Sequence, residues 1–260
     1  MDKLTVVKIG GNVIEDVNLL QSFLADFAHI QDSKILVHGG GKKATAMAEK
    51  MGIPVQMVEG RRITDVQNLD IITMLYGGKI NKNIVAQLQS LGCNALGLSG
   101  ADGNAIQAVK RPVKTIDYGF VGDVVGLNVE LFQMILKGGY TPVCCAVTHD
   151  QKGQLLNTNA DTIAATLAQI LSQYFEVSLW YCFEKQGVLD NIDNDSSVIE
   201  TITPKKYKKL KAEQVIHSGM IPKIDNCFDA LANGVNEVKI GAPKMITGIS
   251  QHTTLTLKDE

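Results

Sequence analysis

The sequence predicts an α/β fold built on a mainly parallel sheet. Apolar and β-branched runs of strand length alternate with segments of helical period along the chain. The first run, from Leu4 to Ile9, is apolar or β-branched everywhere except Lys8, as a strand buried on both faces of a parallel sheet requires. Glycine-rich turns follow the first two runs, and in open α/β sheets ligands bind beyond the strand ends. With 260 residues, 45% of them apolar, the chain can bury a full core as one large domain or two lobes.

The first strand ends in Lys8-Ile9-Gly10-Gly11-Asn12, and a helix is predicted over residues 18–30. A buried ammonium is costly unless an anion meets it, and two glycines let backbone N–H groups approach a ligand closely. The pattern suits a phosphate held at the carboxyl edge of the sheet. It equally suits a lysine that snorkels to solvent beside a tight turn. A short strand over residues 34–37 then runs into His38-Gly39-Gly40-Gly41-Lys42-Lys43, with a helix over residues 44–51. This is a second junction of the same kind, with His38 read as structural. Neither the G-x-x-x-x-G-K-[ST] nor the G-x-G-x-x-G pattern occurs, so a P-loop and a dinucleotide fingerprint both lack support.

In Gly60-Arg61-Arg62-Ile63-Thr64-Asp65, Thr64 or Asp65 can cap a long helix running towards Gln87. One arginine beside that cap can fork onto a carboxylate, and the other reads as a surface charge. Gly77-Gly78 interrupts the helical pattern and predicts a close helix–helix contact. A strand over residues 95–100 enters a glycine-rich turn. Two β-rich runs, 105–113 and 119–126, then predict a hairpin laid on the main sheet. Asn128 or Glu130 opens a helix to about residue 136, and residues 140–146 form another buried strand. Asn157-Thr158-Asn159-Ala160-Asp161 leads into an Ala-rich helix over residues 162–171. Two Asn and an Asp at alternate positions exceed what capping requires, so capping and function both stand as readings.

A second half begins near Gln173, with a strand over residues 177–183 and a polar loop over 190–197. The lysine-rich helix over residues 204–212 reads as a solvated face, with attraction of nucleotide phosphates as the lesser reading. A helix over residues 222–232 carries Pro222 in its first turn. Lys223 lies beside it, where a cation opposes the helix dipole unless an anion is present. The last strands are residues 237–240 and 253–257.

A net charge of -2 gives no electrostatic case for nucleic acid or an anionic membrane. The five cysteines (Cys93, Cys144, Cys145, Cys182 and Cys227) contain no C-x-x-C pair, so they are expected as reduced core residues. No stretch is long enough to span a bilayer and no signal segment is evident, which predicts a cytoplasmic protein. No Ser-His-Asp set, metal cluster or Cys–His nucleophile stands out. Two glycine turns, two lysines in need of anions, one arginine and one aspartate suit phosphoryl transfer, which asks for positioning and charge neutralisation.

Taken together, KIGGN, HGGGKK, GRRIT, NTNAD and GMIPK resemble the amino acid kinase family, and within it most closely the acetylglutamate kinases of arginine biosynthesis. The resemblance implies an open αβα sandwich of two lobes. Residues 1–175 would bind the acylglutamate and dimerise, and residues 176–260 would bind ATP with Mg²⁺. The γ-phosphate would pass to the γ-carboxylate of N-acetyl-L-glutamate. By matching motifs, Lys8 and Lys223 would neutralise the phosphoryl group, Asp161 would hold both lysines, and Gly11 and Gly41 would offer N–H groups. Gly40, Gly41, Arg62 and Asn157 would bind the acylglutamate, with Arg62 on its α-carboxylate. The ATP site would comprise Glu184, Lys185, Gln186, Gly187, Val188 and Leu189, together with Val215, Ile216, His217, Ser218, Gly219 and Met220. No protein cage for the metal is implied.

Relatives inhibited by arginine carry an extra N-terminal helix that joins dimers into hexamers. Here the first strand starts near Leu4, so a homodimer with weak or no arginine feedback is expected. The chain departs from many relatives in placing Glu184 where they have Asp, and the surrounding Tyr181-Cys182-Phe183 and Lys185-Gln186 are unusual. Three rival readings follow: a kinase of N-succinyl-L-glutamate with the same mechanism, a non-catalytic member of the fold, and a nicotinamide-dependent dehydrogenase. The intact Lys8, Asp161 and Lys223 oppose the second, and the missing glycine fingerprint opposes the third.

Overall fold

A computed structural model describes residues 1–58, 60–191, 193–216 and 220–258. In chain order its elements begin with β1 (Lys3–Ile9), α1 (Gly11–Glu15), α2 (Val17–Ala28), β2 (Ser33–His38) and α3 (Gly41–Lys50). A hairpin, β3 (Gln56–Val58) and β4 (Arg61–Ile63), precedes α4 (Val66–Ile72). A π-helical segment, Thr73–Ile80, joins α4 to α5 (Asn81–Ser90), and β5 (Ala95–Leu98) follows. Next come β6 (Ile106–Lys110), β7 (Gly122–Leu127), α6 (Val129–Lys137), β8 (Thr141–Cys145), β9 (Val147–His149) and β10 (Leu155–Asn157). The remainder comprises α7 (Ala160–Leu171), β11 (Glu176–Cys182), β12 (Thr201–Ile202), α8 (Pro204–Ala212), α9 (Ile221–Ala232), β13 (Glu237–Gly241) and β14 (Thr253–Leu255).

Eight strands form the main sheet in the order β12-β14-β13-β11-β1-β2-β8-β5. Every adjacent pair runs parallel except β13 with β14. The predicted mainly parallel α/β sheet is therefore what forms. β1 lies at its centre, paired with β2 on one side and β11 on the other, and its residues from Leu4 to Ile9 are buried. Side-chain caps set several helix starts; Asp65, Asn128 and Asn159 were candidate caps in the sequence, and Asp16 was not. Asp16 accepts from Leu19 N–H, Asp65 from Asn68, Asn128 from Leu131, and Asn159 from Asp161 and Thr162. All five cysteines are free and buried.

Two expectations require correction. The hairpin of β6 and β7 does not lie on the main sheet. It joins β9 and β10 in a separate four-stranded sheet of order β10-β9-β6-β7, because the three-residue strands β9 and β10 supply it with partners. Gly77 and Gly78 do not mark a tight helix contact either: a Cβ added to either meets nothing within 4 Å. They sit in the π-helical segment, where the wider turn accounts for the break in helical period.

Candidate active site

Lys8 lies near the carboxyl end of β1, in register with Tyr181 of β11 and Val37 of β2. Its residue is 9% exposed. Its Nζ makes a 2.7 Å ion pair with Oδ1 of Asp161, in the first turn of α7. A carboxylate thus meets the buried ammonium, as its position demanded. Tyr181, itself buried, donates a 3.3 Å hydrogen bond from its hydroxyl to the Asp161 carbonyl.

Two strand–glycine–helix junctions lie side by side. In the first, Gly10 N–H donates to the Cys182 carbonyl at 3.1 Å, and Gly11 opens α1. In the second, a Cβ on Gly40 would fall 2.5 Å from Ile80 Cδ1 and 2.9 Å from Tyr76 Cε1, so any larger residue would have to displace both side chains. Gly41 then opens α3. Lys42 links the two turns: its Nζ donates to Asn12 Oδ1 and lies 3.5 Å from Glu15 Oε2.

His38 is structural. It is fully buried, its Nδ1–H donates to the Gly39 carbonyl at 2.9 Å, and its Nε2 accepts from Asn81 Nδ2 at 3.1 Å. Burial pulls its pKa down to about 4, against a small opposing effect of the Gly39 carbonyl. Burial likewise raises the Tyr76 phenol to about 12, opposed by the nearby Arg62 guanidinium.

Of the two arginines, Arg61 is exposed and Arg62 is buried. Arg62 donates to Asn68 Oδ1 (3.3 Å), the Gly41 carbonyl (3.1 Å) and Thr45 Oγ1 (2.6 Å). It braces the start of α3, and about two of its five N–H donors remain for a ligand. Asn157 donates to Thr64 Oγ1 at 3.0 Å, and Thr64 donates to the Arg62 carbonyl at 3.4 Å. Gly41, Arg62 and Asn157 therefore belong to one hydrogen-bonded cluster beside the second junction.

A cavity of about 450 Å³ opens from the first junction. It is lined by Lys8, Gly10, Gly11, Asp161 and Lys223, by Glu184, Lys185, Gly187, Val188 and Leu189, and by Val215, Ile216 and Met220. Of the predicted nucleotide residues, Gln186 lies outside the lining, its carbonyl turned towards Gly241. His217, Ser218 and Gly219 fall outside the described residues. Asn12, Lys42, Phe183 and Ile240 also line the cavity, and none was assigned a role from sequence. Lys42 directly follows the triple glycine, which was signal enough. Phe183 was legible as the apolar end of a strand and as one of the unusual residues around Glu184.

One arrangement differs from expectation. Asp161 reaches Lys8, but no ion pair joins it to Lys223 among the described residues. Lys223 stands in the first turn of α9 and its Nζ lies 4.4 Å from the centroid of the Phe183 ring, with Lys8 Nζ at 5.3 Å from the same centroid. The ring at the end of β11 takes the contact assigned to the carboxylate. Chemically, the cavity is lined by four lysines, Lys8, Lys42, Lys185 and Lys223, and two carboxylates, of which Asp161 pairs with Lys8, and it lies beside two helix starts, whose first N–H groups have no partner within the helix.

The model of the amino acid kinase family matches residues 3–242. The chain is 52% identical over 260 residues to an acetylglutamate kinase of Cytophaga hutchinsonii, covering 99% of this chain and 98% of that one. It is 52% identical over 239 residues to an acetylglutamate kinase of Phocaeicola vulgatus, covering 92% and 93%. Its fold matches that of smu.665 from Streptococcus mutans UA159 with a TM-score of 0.78 and 25% identity, over 98% and 99% of the two chains. The chain belongs to the amino acid kinase family and stands among its acetylglutamate kinases.

Proposed function

We propose that this kinase transfers the γ-phosphoryl group of ATP to the γ-carboxylate of N-acetyl-L-glutamate, giving an acyl phosphate. The observation that carries the reading is the Lys8–Asp161 ion pair where the first glycine junction meets the cavity, with Lys223 also lining it. Lys8 and Lys223 neutralise charge on the transferring group. Gly11 and Gly41, each opening a helix, present N–H groups to its oxygens. Gly40, Gly41, Arg62 and Asn157 bind the acylglutamate, with the remaining Arg62 donors on its α-carboxylate. The acceptor carboxylate, with a free-solution pKa of about 4.3, is already ionised near neutral pH, so no general base is needed. ATP fills the cavity through residues 184–189 and 215–220. Mg²⁺ arrives with the nucleotide, held by phosphate oxygens and water. Glu184 is the cavity carboxylate without a cation partner among the described residues, and it can meet the ion through water.

The same reading divides the chain into an acylglutamate lobe, residues 1–175, and an ATP lobe, residues 176–260. The sheet order supports it, since β11 to β14 form one half of the main sheet. The working form is a cytoplasmic homodimer. No described helix is long and apolar enough to cross a membrane. Sedimentation tests the assembly, and a monomer or a hexamer would refute it. For the reaction, ATP-dependent ADP release is compared for N-acetyl-L-glutamate and N-succinyl-L-glutamate at matched concentrations. A strong preference for the acetyl compound is expected. Preference for the succinyl compound would overturn the substrate and keep the mechanism; activity with neither would overturn the reading.

A further inference from the structure

We infer that Phe183 is a positioning residue that holds Lys223, and secondarily Lys8, against its ring face so that both ammonium groups point at the transferring phosphoryl group. The inference rests on the reading of these two lysines as phosphoryl-neutralising. Lys8 has the Asp161 carboxylate at 2.7 Å. Lys223 has no carboxylate partner among the described residues. It occupies the first turn of α9, where the helix dipole repels a cation, and Met220 at the start of that helix supplies no side-chain cap. What Lys223 does have is the Phe183 ring, 4.4 Å from Nζ to centroid, within the distance at which a ring quadrupole attracts an ammonium. Lys8 Nζ meets the same ring at 5.3 Å.

The ring is itself held. Tyr181 stacks on it at 6.0 Å with an interplanar angle of 10°, and Tyr181 hydrogen-bonds the carbonyl of Asp161. Tyr181 thus links the Phe183 ring to the backbone of the residue whose carboxylate pairs with Lys8. A lysine is a point charge on a long flexible stem, so restraint before substrate arrives is what makes its charge preorganised. A carboxylate would restrain Lys223 too, but it would also cancel the charge that the phosphoryl group needs. An aromatic face restrains without cancelling.

The test replaces Phe183 with 4-fluoro-, 3,4,5-trifluoro- and pentafluorophenylalanine. These keep nearly the same shape while draining electron density from the ring face, which weakens attraction for a cation. We expect kcat to fall stepwise, about tenfold across the series, with KM for the acylglutamate and the melting temperature unchanged. Phe183→Trp should retain activity, and Phe183→Leu should fall at least as far as the pentafluoro variant. A flat series in an active enzyme would overturn the inference. So would absence, in the wild type, of an upfield ring-current shift of the Lys223 ε-methylene protons that Phe183→Leu abolishes. That readout needs no turnover. Wild-type inactivity with every acylglutamate overturns the proposed reaction instead.

Discussion

The two strand–glycine–helix junctions are built on one plan and hold opposite kinds of group. The strand before the first carries Lys8 one residue from its end, and the strand before the second ends with the neutral histidine His38. Lys8 is met by the Asp161 carboxylate at 2.7 Å. His38 stays neutral because it is fully buried between the Gly39 carbonyl and the Asn81 amide. The glycines differ in the same sense. Around Gly11 there is room, the nearest atom to an added Cβ being Lys42 Cγ at 4.0 Å, while around Gly40 there is none. The first junction contributes charge and open space for a ligand. The second contributes shape, fixing where α3 begins.

The contrast can be broken most sharply at Lys8. Replacing it with Ala should lower kcat about 10³-fold while circular dichroism shows the fold intact. Survival of activity would take the charge role away from the first junction. The next largest effect belongs to His38 and concerns stability. Its folded pKa of about 4 lies below its ordinary value of 6.5, so its neutral form is favoured by folding. The stability this confers is fully present above about pH 6.5 and is lost as pH falls towards 4, about 3 kcal/mol in all. Urea unfolding of the wild type and His38→Gln at pH 7 and pH 4.5 should show the gap between them narrowing at the lower pH. A constant gap would contradict the buried neutral histidine.

Smaller effects separate the glycines. Gly40→Ala should destabilise by roughly 1–3 kcal/mol, because Ile80 and Tyr76 must move. Gly11→Ala should leave the melting temperature nearly unchanged, within about 0.5 kcal/mol, yet reduce turnover. Thermal melts paired with assays distinguish the two, and equal melting losses would erase the proposed division. The least effect is expected at Lys42, whose pair with Glu15 is exposed. Lys42→Ala should not change stability measurably, and should raise KM for ATP only about threefold, less at high salt.

The sheet, the caps and both junctions were legible because their signals are local. An apolar run with one lysine announces a buried strand that needs an anion, and Asp65, Asn128 and Asn159 announce helix starts within four residues of themselves. The motifs KIGGN and NTNAD likewise drew attention to Lys8, Gly11 and Asp161, which the fold brings to one cavity. Strand partnership was not legible. Periodicity says that β6 and β7 pair, but not that β9 and β10, each of three residues, take them away from the main sheet. Nor does it show that Gly77-Gly78 sit in a π-helical turn with open space where a side chain would begin.

By itself, the sequence determined the α/β class, the helix boundaries near their caps, and the residue types gathered at the strand ends, since each depends on spacing along the chain. Only the tertiary structure decided which of two adjacent arginines is buried, where the donors of Arg62 go, and that Lys223 rests on Phe183 while Asp161 serves Lys8. Those outcomes depend on distances between elements far apart in sequence. A side chain's burial and partners follow from which surfaces meet, and no local pattern encodes that.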